Sequence, residues 1–128
     1  MFRSIVALVG GFAIFTFATI VFAVVAASTM PLAAGRHPTT GQLVANLLPW
    51  LGAAVCGGYA AAALAPRHQR MHVAAFTVMV LVATASQIGK PQAGQPTWYP
   101  LAITVAGTVG AAGGGLLRRR RTPTHSAP

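Results

Sequence analysis

Four long apolar runs dominate this sequence, at residues 4–27, 42–65, 71–88 and 98–117. Each run has about the 17 to 25 residues that a helix needs to cross a hydrocarbon core of roughly 30 Å. The runs lack the period-two alternation of an outer-membrane barrel, and only a helix satisfies its own backbone hydrogen bonds over such a length in lipid. We therefore predict an all-α fold, a single transmembrane bundle of four helices.

The composition fits burial in lipid and disfavours catalysis. Hydrophobic residues make up 55% of the chain and charged residues 7%, whereas soluble domains are about 25% charged. There is no aspartate or glutamate, and the one cysteine, Cys56, lies inside an apolar run, where we expect a small buried hydrophobe. Acid-base or nucleophilic chemistry would therefore depend on histidines alone. We predict that the protein is not an enzyme and needs no cofactor.

Prolines and glycines separate the four runs. The second connection, 66–70, is so short that the second and third helices must form an antiparallel hairpin. The third run is the least secure span, because polar residues dilute it. In the second run Pro49 and Trp50 lie about 12 Å past Gln42, so this helix either bends there or begins near Pro49. A place for Trp50 in an aromatic belt favours the later start.

The positions of the cations indicate an orientation, because arginine and lysine that flank spans stay on the cytoplasmic side. With the N-terminus inside, seven of the nine cations are cytoplasmic, and only Arg36 and Lys90 lie in outer loops. We predict that both termini are cytoplasmic and that the protein resides in the plasma membrane. The small residues at 25–28 leave an alternative open, in which the first run is cleaved as a signal peptide and three spans remain.

Small residues recur every four positions in the second and fourth runs, for example at Ala53, Gly57 and Ala61. Such stripes let helix backbones approach closely in lipid, within one subunit or between subunits. The alternative is that an alanine- and glycine-rich composition produces the spacing by chance. The residues that we predict to pack helix against helix are Ala54, Gly57, Gly58, Ala61, Ala106, Gly107, Gly110 and Gly114.

Arginines cluster where the second connection and the C-terminal tail would meet one membrane surface. Anionic lipid is the expected partner for this unopposed charge. The arginines are confined to chain ends and turns, without interleaved exposed aromatics, and so we predict no binding of nucleic acid. The tail, 118–128, is predicted to be disordered. The predicted lipid contacts are Arg67, Arg70, Arg118, Arg119, Arg120 and Arg121.

Few polar side chains lie within the runs. We expect Asn46 and Gln87 to be interfacial or to bond one helix to another rather than to bind a substrate. His68 and His72 are four residues apart and could place two nitrogens on a metal, but no carboxylate or second cysteine completes such a site. We predict interfacial histidines without a metal, and an aromatic anchor where Trp98 and Tyr99 begin the fourth run.

Several of these motifs resemble small four-helix proteins of bacterial inner membranes. The likeness covers the second to fourth runs: Gly57-Gly58-Tyr59, the segment from Ala65 to His72, Trp98-Tyr99, and a glycine-rich last run that ends at 118–121. It implies the same topology and an inner-membrane location. It brings no functional residue to this chain.

Two functions compete on this evidence. The first is a non-catalytic membrane protein that acts through helix association, as a homo-oligomer or as an accessory subunit of a membrane complex. The second is a small channel or transporter whose pore forms on oligomerisation. Convergence of Asn46, Thr77 and Thr108 on a water-accessible cavity would favour transport, whereas stripes that pack helix on helix would favour association.

Overall fold

A computed structural model describes residues 2–29, 37–65, 68–90 and 95–120 of the chain. Within these ranges there are four helices and no strand, which confirms the all-α prediction. Three helices, α1, α2 and α4, are long and apolar enough to cross a membrane, whereas α3 has 17 residues and falls short of that length. The helices are α1 (Phe2–Thr29), α2 (Thr40–Leu64), α3 (Gln69–Ala85) and α4 (Trp98–Arg120).

A capping box fixes the start of α2. The backbone N–H of Gln42 donates to the hydroxyl oxygen of Thr39, and the Gln42 side-chain oxygen accepts from the backbone N–H of Thr39 at 2.9 Å. Two backbone donors that a helix start leaves free are satisfied in this way. The helix therefore begins at Thr40 and continues through Pro49, and the later start near Pro49 was wrong.

Two other helix ends differ from the predicted spans. The helix α3 ends at Ala85 rather than at residue 88, because the chain tightens into turns and Gly89 adopts a φ of +83°. Its N-cap residue, His68, is also left-handed, with φ 54°. In contrast, α4 continues past residue 117 to Arg120, so that the first part of the predicted tail is helical.

The helix α2 is the centre of the bundle, since it packs on each of the other three helices. It runs antiparallel to α1, with Gly10 near Leu64 and Gly52 near Phe22. It runs in the same direction as α4, which crosses it closely along much of its length. Within the described residues α1 touches α2 and α3 but not α4. The two outermost helices are therefore separated by the α2–α3 pair.

Aromatic rings and alanines form the core. The ring of Phe15 meets Trp50 edge-on at 5.3 Å between centroids and Phe76 edge-on at 6.4 Å. Phe76 and Val80 are the largest fully buried side chains. Trp50 packs against this core, so a place in an aromatic belt does not support a later start of α2. Cys56 is exposed, in contrast to the predicted buried position.

Candidate functional site

One small-residue stripe of α2 brings this helix into backbone contact with α4. A Cβ atom added to Gly58 would meet the carbonyl oxygen of Ala111, and one added to Gly114 would meet the carbonyl oxygen of Val55. A Cβ on Gly110 would lie 2.8 Å from the carbonyl oxygen of Leu51 and 2.9 Å from the Cβ of Ala54. No side chain larger than hydrogen fits at these positions without moving a backbone.

The second stripe of α2 faces α1 and α3. A Cβ on Gly57 would lie 2.8 Å from the Cβ of Phe15 and 2.7 Å from the ring of Phe76. The Cβ of Ala61 would lie 2.8 Å from a Cβ on Gly11, a glycine of α1 that the sequence analysis did not single out. Both stripes of α2 therefore face neighbours within the same subunit.

Two further predicted packing residues lie on α4. A Cβ on Gly107 would be 3.1 Å from the indole nitrogen of Trp50 and 3.2 Å from a methyl group of Val80, and hence at the junction of three helices. Ala106 is partly buried. Gly107 therefore lets α4 pack closely against both α2 and α3.

Two cavities lie near the starts of α2 and α4. The larger, of about 480 Å³, is bounded by the last turns of α1 and the first turns of α2. The smaller, of about 330 Å³, is lined by residues from all four helices. Both are lined by Asn46, Gln95 and Tyr99. We call this pair of cavities the Asn46–Tyr99 site.

A hydrogen bond between two helices lies at the junction of the cavities. The amide nitrogen of Asn46 donates to the hydroxyl oxygen of Tyr99 at 2.6 Å. The side chain of Tyr99 is only 3% exposed, so it is part of the packed interior rather than the predicted surface anchor. Trp98, next to it, is 39% exposed. Asn46 thus makes the helix-to-helix hydrogen bond that was one of its two predicted roles.

The threonines that were candidates for a transport route do not join Asn46 at the cavities. The hydroxyl of Thr108 donates to the carbonyl oxygen of Thr104 at 2.7 Å, within its own helix. The hydroxyl of Thr77 is buried and has no hydrogen-bond partner in the described part of the chain, as is the case for the Trp50 indole N–H. Neither Thr77 nor Thr108 lines the Asn46–Tyr99 site.

The predicted cationic surface is described only in part. Arg70 is exposed. The guanidinium of Arg118 lies over the ring of Tyr59, 5.9 Å from its centroid, in a cation–π contact. Arg67 and Arg121 lie outside the described residues, as do the side chains of Arg119 and Arg120.

The histidines were predicted not to bind a metal. The His72 ring nitrogen Nδ1 lies 3.2 Å from the carbonyl oxygen of His68, one turn earlier. Among the described residues, no three histidine, cysteine, aspartate or glutamate side chains come together. His72 therefore contacts the backbone of the residue that precedes α3.

Comparisons with known proteins add no identity: no protein-family profile matches the chain, and no curated protein or solved structure is significantly similar to it. The resemblance to small inner-membrane proteins therefore stays a prediction.

Proposed function

We propose that this chain is an integral protein of the inner membrane that crosses the bilayer four times and has both termini in the cytoplasm. Three helices of spanning length support this placement. With 17 residues, α3 covers about 26 Å, close to a hydrocarbon core of roughly 30 Å. Val78 and Val82 on α3 are 56% and 63% exposed, as expected for side chains in contact with lipid.

Within the membrane we propose a non-catalytic role through helix association. The observation that carries this proposal is the exposure of α1. Eleven large hydrophobic side chains of α1 are exposed, against three on α2, five on α3 and six on α4. Val9, Phe17 and Val24, which point away from the buried face of α1, are 60%, 70% and 64% exposed. A second copy of the chain is the partner that we propose for this face.

The stripes bear on where a partner would bind. Because Gly58, Gly110 and Gly114 are occupied by contacts between α2 and α4 of one subunit, they are not free to join subunits. An oligomer must then use another surface, and among the described helices α1 has the most exposed large hydrophobic side chains. The dispersal of Thr77 and Thr108 away from the cavities also favours association over a channel.

Disulfide crosslinking in membranes tests this proposal. With Cys56 changed to serine, Phe17→Cys should give a crosslinked dimer on mild oxidation, because position 17 lies on the proposed interface. Val78→Cys, on the exposed face of α3, is the matched control and should stay monomeric. A dimer from both variants or from neither would contradict an α1 interface between copies. A Phe17→Cys adduct of another mass would favour an accessory subunit.

A further inference from the structure

We infer that the Asn46–Tyr99 site binds an uncharged amphiphilic lipid, with its hydroxyl-bearing polar end at Asn46 and Tyr99 and its apolar chain along α1. This inference depends on the proposed membrane location, because the bilayer would supply the ligand. It goes beyond helix association, since it gives the bundle a small-molecule partner.

The polar end of the ligand is defined by what the Asn46–Tyr99 hydrogen bond leaves unused. When the amide of Asn46 donates to the Tyr99 oxygen, the Tyr99 O–H can still donate and the Asn46 carbonyl oxygen can still accept. Pro49 lacks an N–H, and so the carbonyl of Ala45 loses its usual helical donor. Ala45 and Pro49 both line the larger cavity. A hydroxyl group, which donates and accepts, fits this set.

The residues that line the two cavities indicate the charge of the ligand. Among the described residues that line the two cavities there is no arginine, lysine or histidine, and the sequence contains no aspartate or glutamate. The polar side chains there are uncharged, and they include Gln95 in both cavities and Gln87 in the smaller one. An ion in this site would lose water without gaining a counter-charge, which is costly. Phosphate, carboxylate and ammonium headgroups are therefore disfavoured.

The apolar part of the ligand matches the walls that α1 provides. Phe22, Val25 and Ala26 line the larger cavity, and Phe12 and Phe15 line the smaller one. Residues 20–25 of α1 are exposed, so the larger cavity lies beside a part of α1 that the other helices do not cover. Sites for small molecules have volumes of roughly 300 to 1,000 Å³ and mostly apolar walls with a few polar groups. Both cavities are within that range.

Fluorescence quenching of Trp50 tests the inference. The chain has two tryptophans, and the Trp98→Phe variant leaves only Trp50, which lines the smaller cavity. In detergent micelles, a monoacylglycerol with a dibrominated chain should quench Trp50 with saturation. Unbrominated monoacylglycerol should reverse the quenching. The fatty acid with the same chain at alkaline pH, where it is an anion, and the matching alkyltrimethylammonium should not compete.

Two variants assign the binding to the polar pair. In the Trp98→Phe background, Asn46→Leu and Tyr99→Phe should each weaken monoacylglycerol binding by about threefold to tenfold, as expected for loss of one neutral hydrogen bond. Tyr99→Phe keeps the aromatic ring and so preserves packing. Thr108→Val is the matched control: it also removes one hydroxyl, but from a residue outside both cavities, and it should leave affinity unchanged.

Quenching that never saturates would overturn the inference. Equal affinity of the Trp98→Phe protein and the three variants made in its background would do so as well. Competition by the charged amphiphiles at the same concentration would overturn it as well. Alkaline extraction of membranes separates this result from the proposed membrane location. Protein that stays in extracted membranes but shows no saturable quenching refutes the lipid site alone, whereas protein released by extraction refutes the membrane placement.

Discussion

Gly113 and Gly114 are neighbours on α4, yet the two residues have different surroundings. A Cβ on Gly114 would meet the Val55 backbone, whereas a Cβ on Gly113 would have nothing within 4 Å. The helix needs Gly114 for close approach to α2. Gly113 only lowers helix propensity, by about 1 kcal/mol relative to alanine in water. Glycine content alone therefore does not identify the packing positions.

At Gly58 we predict that substitution by alanine lowers stability, because the new methyl group would collide with the backbone of Ala111. Overpacking of this kind costs about 1–3 kcal/mol. Gly113→Ala, the matched control, should leave the midpoint of thermal unfolding in detergent unchanged or raise it. The same change in midpoint for Gly58→Ala and Gly113→Ala would refute close packing of α2 on α4.

At the scale of single elements, the sequence predicted the helices better than their ends. Long apolar runs are a strong signal, and all four produced helices. The start of α2 was also readable, since Thr39 followed three residues later by Gln42 is a capping-box signature. The helix continues through Pro49, and the ring of Trp50 packs edge-on against Phe15 just beyond it.

The candidate site was less predictable than the helices. Asn46 and Tyr99 are 53 positions apart in the chain, and no local pattern shows which turn of α2 meets which turn of α4. Their pairing depends on the register that the glycines set between the two helices. Tyr99 also follows Trp98 at a helix start, a position that is typical of a surface anchor. Only the tertiary packing shows that its hydroxyl is directed inward.

The C-terminal end of α4 carries a prediction about lipid. Replacement of all four arginines at 118–121 by glutamine should reduce binding to anionic liposomes, because each arginine near such a surface contributes about 1 kcal/mol. The binding of the unmodified protein should fall as salt rises, since ions screen charges over about 10 Å at 0.1 M. Lysine at the same four positions keeps the charge and is the matched control. If the glutamine variant keeps its full low-salt binding, these arginines act only in membrane insertion.

At the scale of the whole molecule, the four helices alternate in direction, so the start of α1 and the end of α4 lie on the same side of the bundle. The cations follow the same arrangement, with seven of nine in segments at the predicted cytoplasmic side. Charge and topology are therefore consistent with one orientation in a membrane.

This orientation predicts that a reporter fused after Pro128 works only if it functions in the cytoplasm. Alkaline phosphatase, which needs the periplasm to mature, should be inactive there, and green fluorescent protein should be bright. Fusion of the same reporters after Lys90, in the predicted outer loop, should give the opposite pattern. Active phosphatase at Pro128 would contradict the cytoplasmic C-terminus, and so would a bundle in which α3 fails to cross.

Within the described residues α1 and α4 make no contact, which has a consequence for the order of assembly during synthesis. A ribosome delivers α1, α2 and α3 first, and these three already contain every helix that α1 touches. Gly58 of α2 and Val80 of α3 are packed only once α4 has been synthesised, since the glycines of α4 fit against both helices. The contacts of α1 with α2 and α3 therefore need no residue of α4, and α4 packs onto helices that precede it in the chain.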